Sequence, residues 1–327
     1  MYQQPFGQPM PLVSPAIAER KRIRRDANFV GFILIALLAA QIIVAFGLQL
    51  LTKTGLLNVA TMDNTAYLFL NMALYISYLA LPAVVVALIA RRRQNPFPTR
   101  RVSIGNYAVA LFGGMAMAVA ANHVTSVIMS ILVALGIPYP QFAETQSGTP
   151  VSLVLNLLST AVLPALIEEM VMRGYVLGAL RRYGDKLAII VSAALFGLIH
   201  GNVLQIPFAF MLGLVLGWLV VQTNSIWPAV LLHFGNNAMS VLLDYVELAV
   251  GDNAAATMLT FLVLCVLGLI VLAAAFLSNK QRGEDLLRPV HNGGSPLSVA
   301  QRATTILTAP AMIVGVCLWL ASLILLI

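Results

Sequence analysis

The chain has 327 residues, of which 60% are hydrophobic and only 9% are charged, and its mean hydropathy is +0.91. This composition excludes a soluble globular domain, a disordered chain and a disulfide-rich scaffold. The net charge of +7 comes from 19 basic and 12 acidic residues. No basic stripe lies on a soluble helix, so no nucleic-acid partner is predicted. The sequence therefore predicts a protein of the lipid bilayer.

A bilayer core of about 30 Å is crossed by about 20 apolar residues in helical form. Apolar runs of about this length recur along the chain. They predict an all-α fold, a polytopic transmembrane helix bundle with eight to nine membrane segments. The segments lie near residues 28–51, 66–90, 106–135, 151–180, 187–201, 205–222, 226–250, 255–277 and 305–327. Only four residues, Asn202 to Gln205, separate the fifth segment from the sixth. The two must therefore form a tight helical hairpin.

This division gives four regions. Residues 1–27 are predicted to be a mobile, Pro- and Gln-rich and basic cytoplasmic tail, and residues 28–277 to be the transmembrane core. A polar cytoplasmic loop at 278–304 and an accessory transmembrane helix at 305–327 complete the chain.

The basic residues predict the orientation, because Lys and Arg concentrate in the cytoplasmic loops of membrane proteins. If the amino terminus is inside the cell, all of the 19 basic residues except Lys53 and Arg173 lie in the cytoplasmic tail or in cytoplasmic loops. We therefore expect a cytoplasmic amino terminus.

The fourth segment carries three charged residues, Glu168, Glu169 and Arg173, within an apolar run. Each costs about 2.5–3.5 kcal/mol at the centre of a membrane helix, so each needs a structural or functional reason. Glu169 and Arg173 are four residues apart and share a helix face, which predicts a buried ion pair. Glu168 is left without that partner and can exchange a proton. The alternative is a purely structural network of all three charges.

Two histidines also lie in predicted membrane segments. His200 follows Phe196 by four residues, and His233 precedes Asn237 by four, so one helix face presents an imidazole and a carboxamide. Taken singly, each histidine is more typical of a hydrogen bond between helices. Together with Glu168, they supply a base for water, an acid for a leaving amine and donors for an oxyanion. This combination indicates a hydrolytic site.

The motifs Glu168-Glu169-x-x-x-Arg173, Phe196-x-x-x-His200 and His233-x-x-x-Asn237 stand in this order on successive segments. They resemble the motifs of the CPBP family of intramembrane proteases, which includes the CAAX prenyl endopeptidases of the Rce type and the bacterial Abi proteins. The resemblance covers residues 150–245. It implies an intramembrane endopeptidase, expected in a bacterial plasma membrane. Its partners would be the lipid bilayer and a membrane-anchored protein or peptide, CAAX-like or of another kind.

The resemblance also implies roles for the motif residues. Glu168 and His200 would hold and activate a water molecule. His233 and Asn237 would polarise the scissile carbonyl and stabilise its oxyanion. Glu169 and Arg173 would be supporting residues that fix the fourth helix.

Metal dependence is left open by the resemblance, because members of the family are also described as metalloproteases. No cofactor is predicted here, since the chain has no His-Glu-x-x-His pair to hold an ion on one helix. If a zinc ion takes part, its expected ligands are Glu168, His200 and His233.

Two alternative functions belong to other classes of protein. One is a proton-coupled transporter, in which these side chains form a proton relay, and the other is a noncatalytic membrane scaffold.

Overall fold

The structure is a computed structural model, and it describes residues 14–90, 98–136, 149–250, 254–281, 291 and 294–325. Throughout these ranges the regular elements are helices, joined by a single isolated bridge between Thr99 and Ser225. The predicted all-α fold class is confirmed.

Apart from a short 3-10 helix at Val59–Thr61, ten helices follow one another along the described chain, and the first eight overlap the first eight predicted segments. They are α1 (Pro15–Lys53), α2 (residues 64–90, comprising Asn64–Tyr75, Ile76–Ala80 and Leu81–Ala90), α3 (Ile104–Ala134), α4 (Pro150–Tyr183), α5 (Asp185–Ile199), α6 (Ile206–Thr223), α7 (Trp227–Val250), α8 (Ala254–Gln281), α9 (Val299–Leu307) and α10 (Pro310–Leu325).

Five of these helices are long and apolar enough to cross a membrane, and the bent pair α9 and α10 raises the number to six if it forms one span. The length and apolar composition of these helices therefore indicate an integral membrane protein. The other predicted segments are helical too, but α5, for example, has only 15 residues. A count of eight or nine spans goes beyond this finding and stays a prediction.

The predicted hairpin of α5 and α6 is confirmed. Gly201 turns the chain with a positive φ of 64°, and the side chain of Asn202 accepts a hydrogen bond from the Leu204 amide at 2.9 Å. The two helices then pack closely, because a Cβ at Gly213 would lie 3.1 Å from the Cα of Ala193. A small residue at this contact lets the helix backbones approach each other.

The predicted amino-terminal tail is partly helical. Residues 1–13 lie outside the described residues, and α1 begins at Pro15, so residues 15–27 are helical. Asp26 is buried there and accepts a hydrogen bond from the hydroxyl of Tyr183 at 2.8 Å. This contact ties the basic start of α1 to the end of α4.

The carboxyl-terminal region differs from the prediction in a similar way. The predicted polar loop at 278–304 includes the end of α8 and the start of α9, and residues 282–290, 292 and 293 lie outside the described residues. The predicted single helix at 305–327 is broken before Pro310, where the chain bends by 65°. Proline cannot continue a helical hydrogen-bond pattern, which accounts for the break. Beyond it, α10 packs on α1, and the Trp319 indole donates to the carbonyl of Leu34 at 3.0 Å.

Candidate active site

Helices α4, α5 and α7 bring the four predicted catalytic residues to one cavity of about 280 Å³. Glu168, His200, His233 and Asn237 all line it, together with residues of α2 and α6. His200 occupies the C-cap position of α5, next to the turn of the hairpin. The three motifs therefore meet in space, although they are separated along the chain.

The ion pair predicted from the spacing of Glu169 and Arg173 is present. A guanidinium nitrogen lies 3.2 Å from the Glu169 carboxylate, and both side chains are 0% exposed. Arg173 also donates to the carbonyl of Gly213 at 3.4 Å and lies 4.3 Å above the ring of Phe196. Glu169 and Arg173 thus link α4 to the hairpin behind the cavity.

Glu169 has a second partner, because its Oε1 lies 3.0 Å from Nδ1 of His233. A carboxylate only accepts hydrogen bonds, so Nδ1 is assigned the proton and Nε2 becomes the other functional nitrogen. That Nε2 lies 4.0 Å from Oε2 of Glu168. Glu169 therefore fixes the orientation of the imidazole through Nδ1 and leaves Nε2 directed to Glu168, as a carboxylate does in other hydrolytic sites.

Glu168 is held differently from Glu169. Its Oε1 accepts a hydrogen bond from the Tyr75 hydroxyl at 2.9 Å. Its Oε2 is buried and has no hydrogen-bond partner within the described part of the chain. Tyr75 was not predicted as a site residue, since a single tyrosine in an apolar run carries no signal of a partner 93 positions later.

His200 contributes one ring nitrogen to the cavity. Its Nδ1 donates to the carbonyl of Phe196 at 2.7 Å, in the preceding turn of α5, which leaves Nε2 as an acceptor. The ring stands edge-on to the Phe196 ring, with centroids 4.8 Å apart. The described contacts include no direct hydrogen bond between His200 and Glu168. Any cooperation between the two must pass through a group bound in the cavity.

Asn237 is held by a hydrogen bond to a main-chain carbonyl whose usual helical N–H partner is replaced by a proline. Its Nδ2 donates to the carbonyl of Thr160 at 2.9 Å. In a regular helix that carbonyl would accept from residue 164, but Pro164 has no N–H. The helix is accordingly widened into a π-helical turn at Leu157–Val162. An amide nitrogen carries two hydrogens, so Asn237 keeps a second donor for the cavity.

The possible zinc ligands do not form a metal site in the described structure. No group of three His, Cys, Asp or Glu side chains in the described ranges has an arrangement that could hold a metal ion. This includes Glu168, His200 and His233. The residues present therefore do not fit a zinc ion in this arrangement, and no chemical step is derived through one.

Comparison with known families adds a finding of its own. Residues 150–239 match the family model described as Rce1-like, type II CAAX prenyl endopeptidase. Over this segment the chain is similar to the family that the motifs predict. The matched residues run from the start of α4 into α7 and include all three motifs. No curated protein and no solved structure matches the chain.

Proposed function

We propose that this protein is an intramembrane endopeptidase that hydrolyses a peptide bond in a membrane-anchored protein or peptide. The family match supports a protease of the CAAX type. The observation that carries the proposal is the pairing of Glu168 Oε2 with His233 Nε2 across 4.0 Å, on the wall of the cavity. This separation is too long for a direct hydrogen bond and suits one bridging water molecule.

In the first step, Glu168 acts as general base. It takes a proton from the bridging water, and the water oxygen attacks the scissile carbonyl carbon to form a tetrahedral intermediate. The Tyr75 hydroxyl holds Oε1, so the buried Oε2 is the oxygen that receives the proton. His200 lines the same cavity and accepts the water's other hydrogen through Nε2, so His233 contacts the water oxygen as a donor, from a protonated Nε2.

The developing oxyanion is stabilised from α7. Asn237 donates its second amide hydrogen, and His233 donates through Nε2 when that nitrogen is protonated, while Glu169 compensates the imidazolium charge. Glu168 then returns its proton to the leaving amine as the carbon–nitrogen bond breaks. Glu169 and Arg173 act as positioning residues in this scheme, because their contacts are with the protein and not with the reacting atoms.

The proposal is tested with the purified full chain in detergent. The probe is an internally quenched peptide ending in Cys-aliphatic-aliphatic-X, prepared with and without a farnesyl group on its cysteine. We expect cleavage of at least the farnesylated peptide, measured by fluorescence and located by mass spectrometry. A transporter or a noncatalytic scaffold would leave both peptides intact, and that outcome would overturn the proposal.

The oxyanion role of Asn237 predicts a large and specific kinetic effect. Removal of one positioned donor typically lowers kcat by about 100- to 1,000-fold, so we expect Asn237→Ala to fall in that range with KM little changed. The neighbouring Asn236 donates to the Asn237 side-chain oxygen at 3.1 Å and serves as the matched control. Asn236→Ala should lose far less activity. Near-full activity in Asn237→Ala would show that its amide serves only the Thr160 carbonyl.

The proposed chemistry needs no metal ion, and this gives a separate prediction. Purified protein should contain well below one zinc ion per chain by elemental analysis, and a chelator should leave its activity unchanged. A bound catalytic metal would make the activity chelator-sensitive and restorable by added metal. Stoichiometric zinc that disappears together with activity in His200→Ala and His233→Ala would make both histidines metal ligands and contradict the scheme.

A further inference from the structure

A second cavity adjoins the candidate active site. It is a groove of about 660 Å³ between α3 and the start of α6, and Phe208 lines both this groove and the cavity that contains Glu168. The two cavities therefore share the Phe208 side chain as a wall. The groove's wall on α3 lies outside the segment that matches the protease family, whereas Leu204 and Phe208 lie within that segment.

One face of α3 supplies polar side chains to this groove. They recur at the spacing of a single helix face and are Asn122, Thr125, Ser126 and Ser130. The side chains around them are apolar, and none of the described residues that line the groove is charged. Each uncharged hydrogen-bonding group on a membrane helix needs a partner where water is absent.

The hydroxyl of Thr125 is the decisive member of the row. Thr125 is only 7% exposed, and its Oγ1 is buried without a hydrogen-bond partner in the described structure. Its neighbours Ser126 and Ser130 instead donate to carbonyls of their own helix, at 3.0 and 2.9 Å. Their oxygens thus remain acceptors, whereas Thr125 can both donate and accept. A buried hydroxyl with no partner costs about 1–3 kcal/mol, which a ligand in the groove would recover.

We infer that this groove binds the substrate polypeptide in extended form on one side of the scissile bond. The inference rests on the proposed function and adds a binding surface to it. An extended chain at bilayer depth has backbone N–H and C=O groups that its own fold does not satisfy, and hydroxyl and amide side chains can pair with them. A lipid headgroup would need charged partners. A hydrocarbon chain would leave the Thr125 hydroxyl unsatisfied.

The length of the groove sets the size of the bound segment. From Asn122 to Val133 the helix rises about 16 Å, at about 1.5 Å per residue. An extended peptide covers that distance with about five residues. The apolar side chains in the groove, including Met129 and Phe208, favour uncharged residues in this segment.

The first test is kinetic and uses the quenched peptide described above. Thr125→Val keeps the shape of the side chain but removes its hydrogen bond, so KM should rise about 5- to 10-fold with kcat little changed. Ser322→Ala is the matched control, because Ser322 donates to its own helix on α10, outside the groove. It should leave both constants unchanged.

The second test identifies the peptide backbone as the partner. A series of peptides is prepared in which one backbone amide at a time is methylated. At one position, methylation should weaken binding to the protein with Thr125 several-fold and have no further effect in Thr125→Val. Binding is measured by fluorescence anisotropy in the Glu168→Gln background, which does not depend on cleavage.

The outcomes separate the two proposals. If the peptide binds but is not cleaved by the wild type, and Thr125→Val weakens binding, the groove stands and the protease function falls. If the peptide is cleaved while Thr125→Val changes neither KM nor binding, the groove holds only water and the inference falls. If the peptide neither binds nor is cleaved, both are overturned.

Discussion

Glu168→Gln should abolish cleavage of the quenched peptide while the protein remains folded. A carboxamide fills the same volume but cannot take a proton from water, and loss of a general base typically costs about 100- to 10,000-fold in rate. The fold should survive, because the Tyr75 hydroxyl can still donate to the remaining side-chain oxygen. Activity is measured by fluorescence, and folding by size-exclusion profile and thermal unfolding in detergent.

A matched control for this substitution lies on α7. Glu247 is exposed and lies about three helical turns beyond Asn237, outside the residues that line the cavity, so Glu247→Gln makes the same chemical change without touching it. It should leave the rate unchanged. Full activity in Glu168→Gln would show that another group activates the water, and the assignment of the base would be wrong.

The positions of the helices could be predicted because apolar length is a property of the sequence itself. A run of about 20 apolar residues favours a membrane helix wherever it stands, and the four-residue gap from Asn202 to Gln205 permits only a hairpin. The pairing of Glu169 with Arg173 could be predicted for a similar reason. Positions four apart on a helix lie on one face, whatever surrounds them.

The contacts between distant helices could not be predicted in this way. Lipid and the interior of a helix bundle are equally apolar, so hydropathy does not indicate which face of α2 meets α4. The hydrogen bond of Tyr75 to Glu168 is therefore invisible in the sequence, and so is the second bond of Glu169 to His233. Apolar length does not predict the helical start of α1, because residues 15–27 are rich in charged residues. Asp26 is buried there through its contact with Tyr183 on α4, and a contact between distant helices cannot be predicted from the sequence of α1.

Glu169→Gln should behave unlike Glu168→Gln, because the two carboxylates have different partners. The substitution removes the charge that faces Arg173 at 3.2 Å and His233 at 3.0 Å, and all three groups are buried. Loss of one partner from a buried ion pair typically destabilises a protein by about 3–5 kcal/mol. We expect lower yield, a lower unfolding temperature and lost activity, whereas Glu168→Gln should lose activity alone.

A double variant separates charge from orientation. Arg173→Met removes the stranded cation, so Glu169→Gln combined with Arg173→Met should be more stable than Glu169→Gln alone. Activity should stay low in the double variant, because a neutral amide no longer compensates an imidazolium on His233. If Glu168→Gln and Glu169→Gln proved equally stable and only the second lost activity, the roles of the two carboxylates would have to be exchanged. The base would then be the residue that contacts Arg173, and Glu168 would serve only to hold Tyr75.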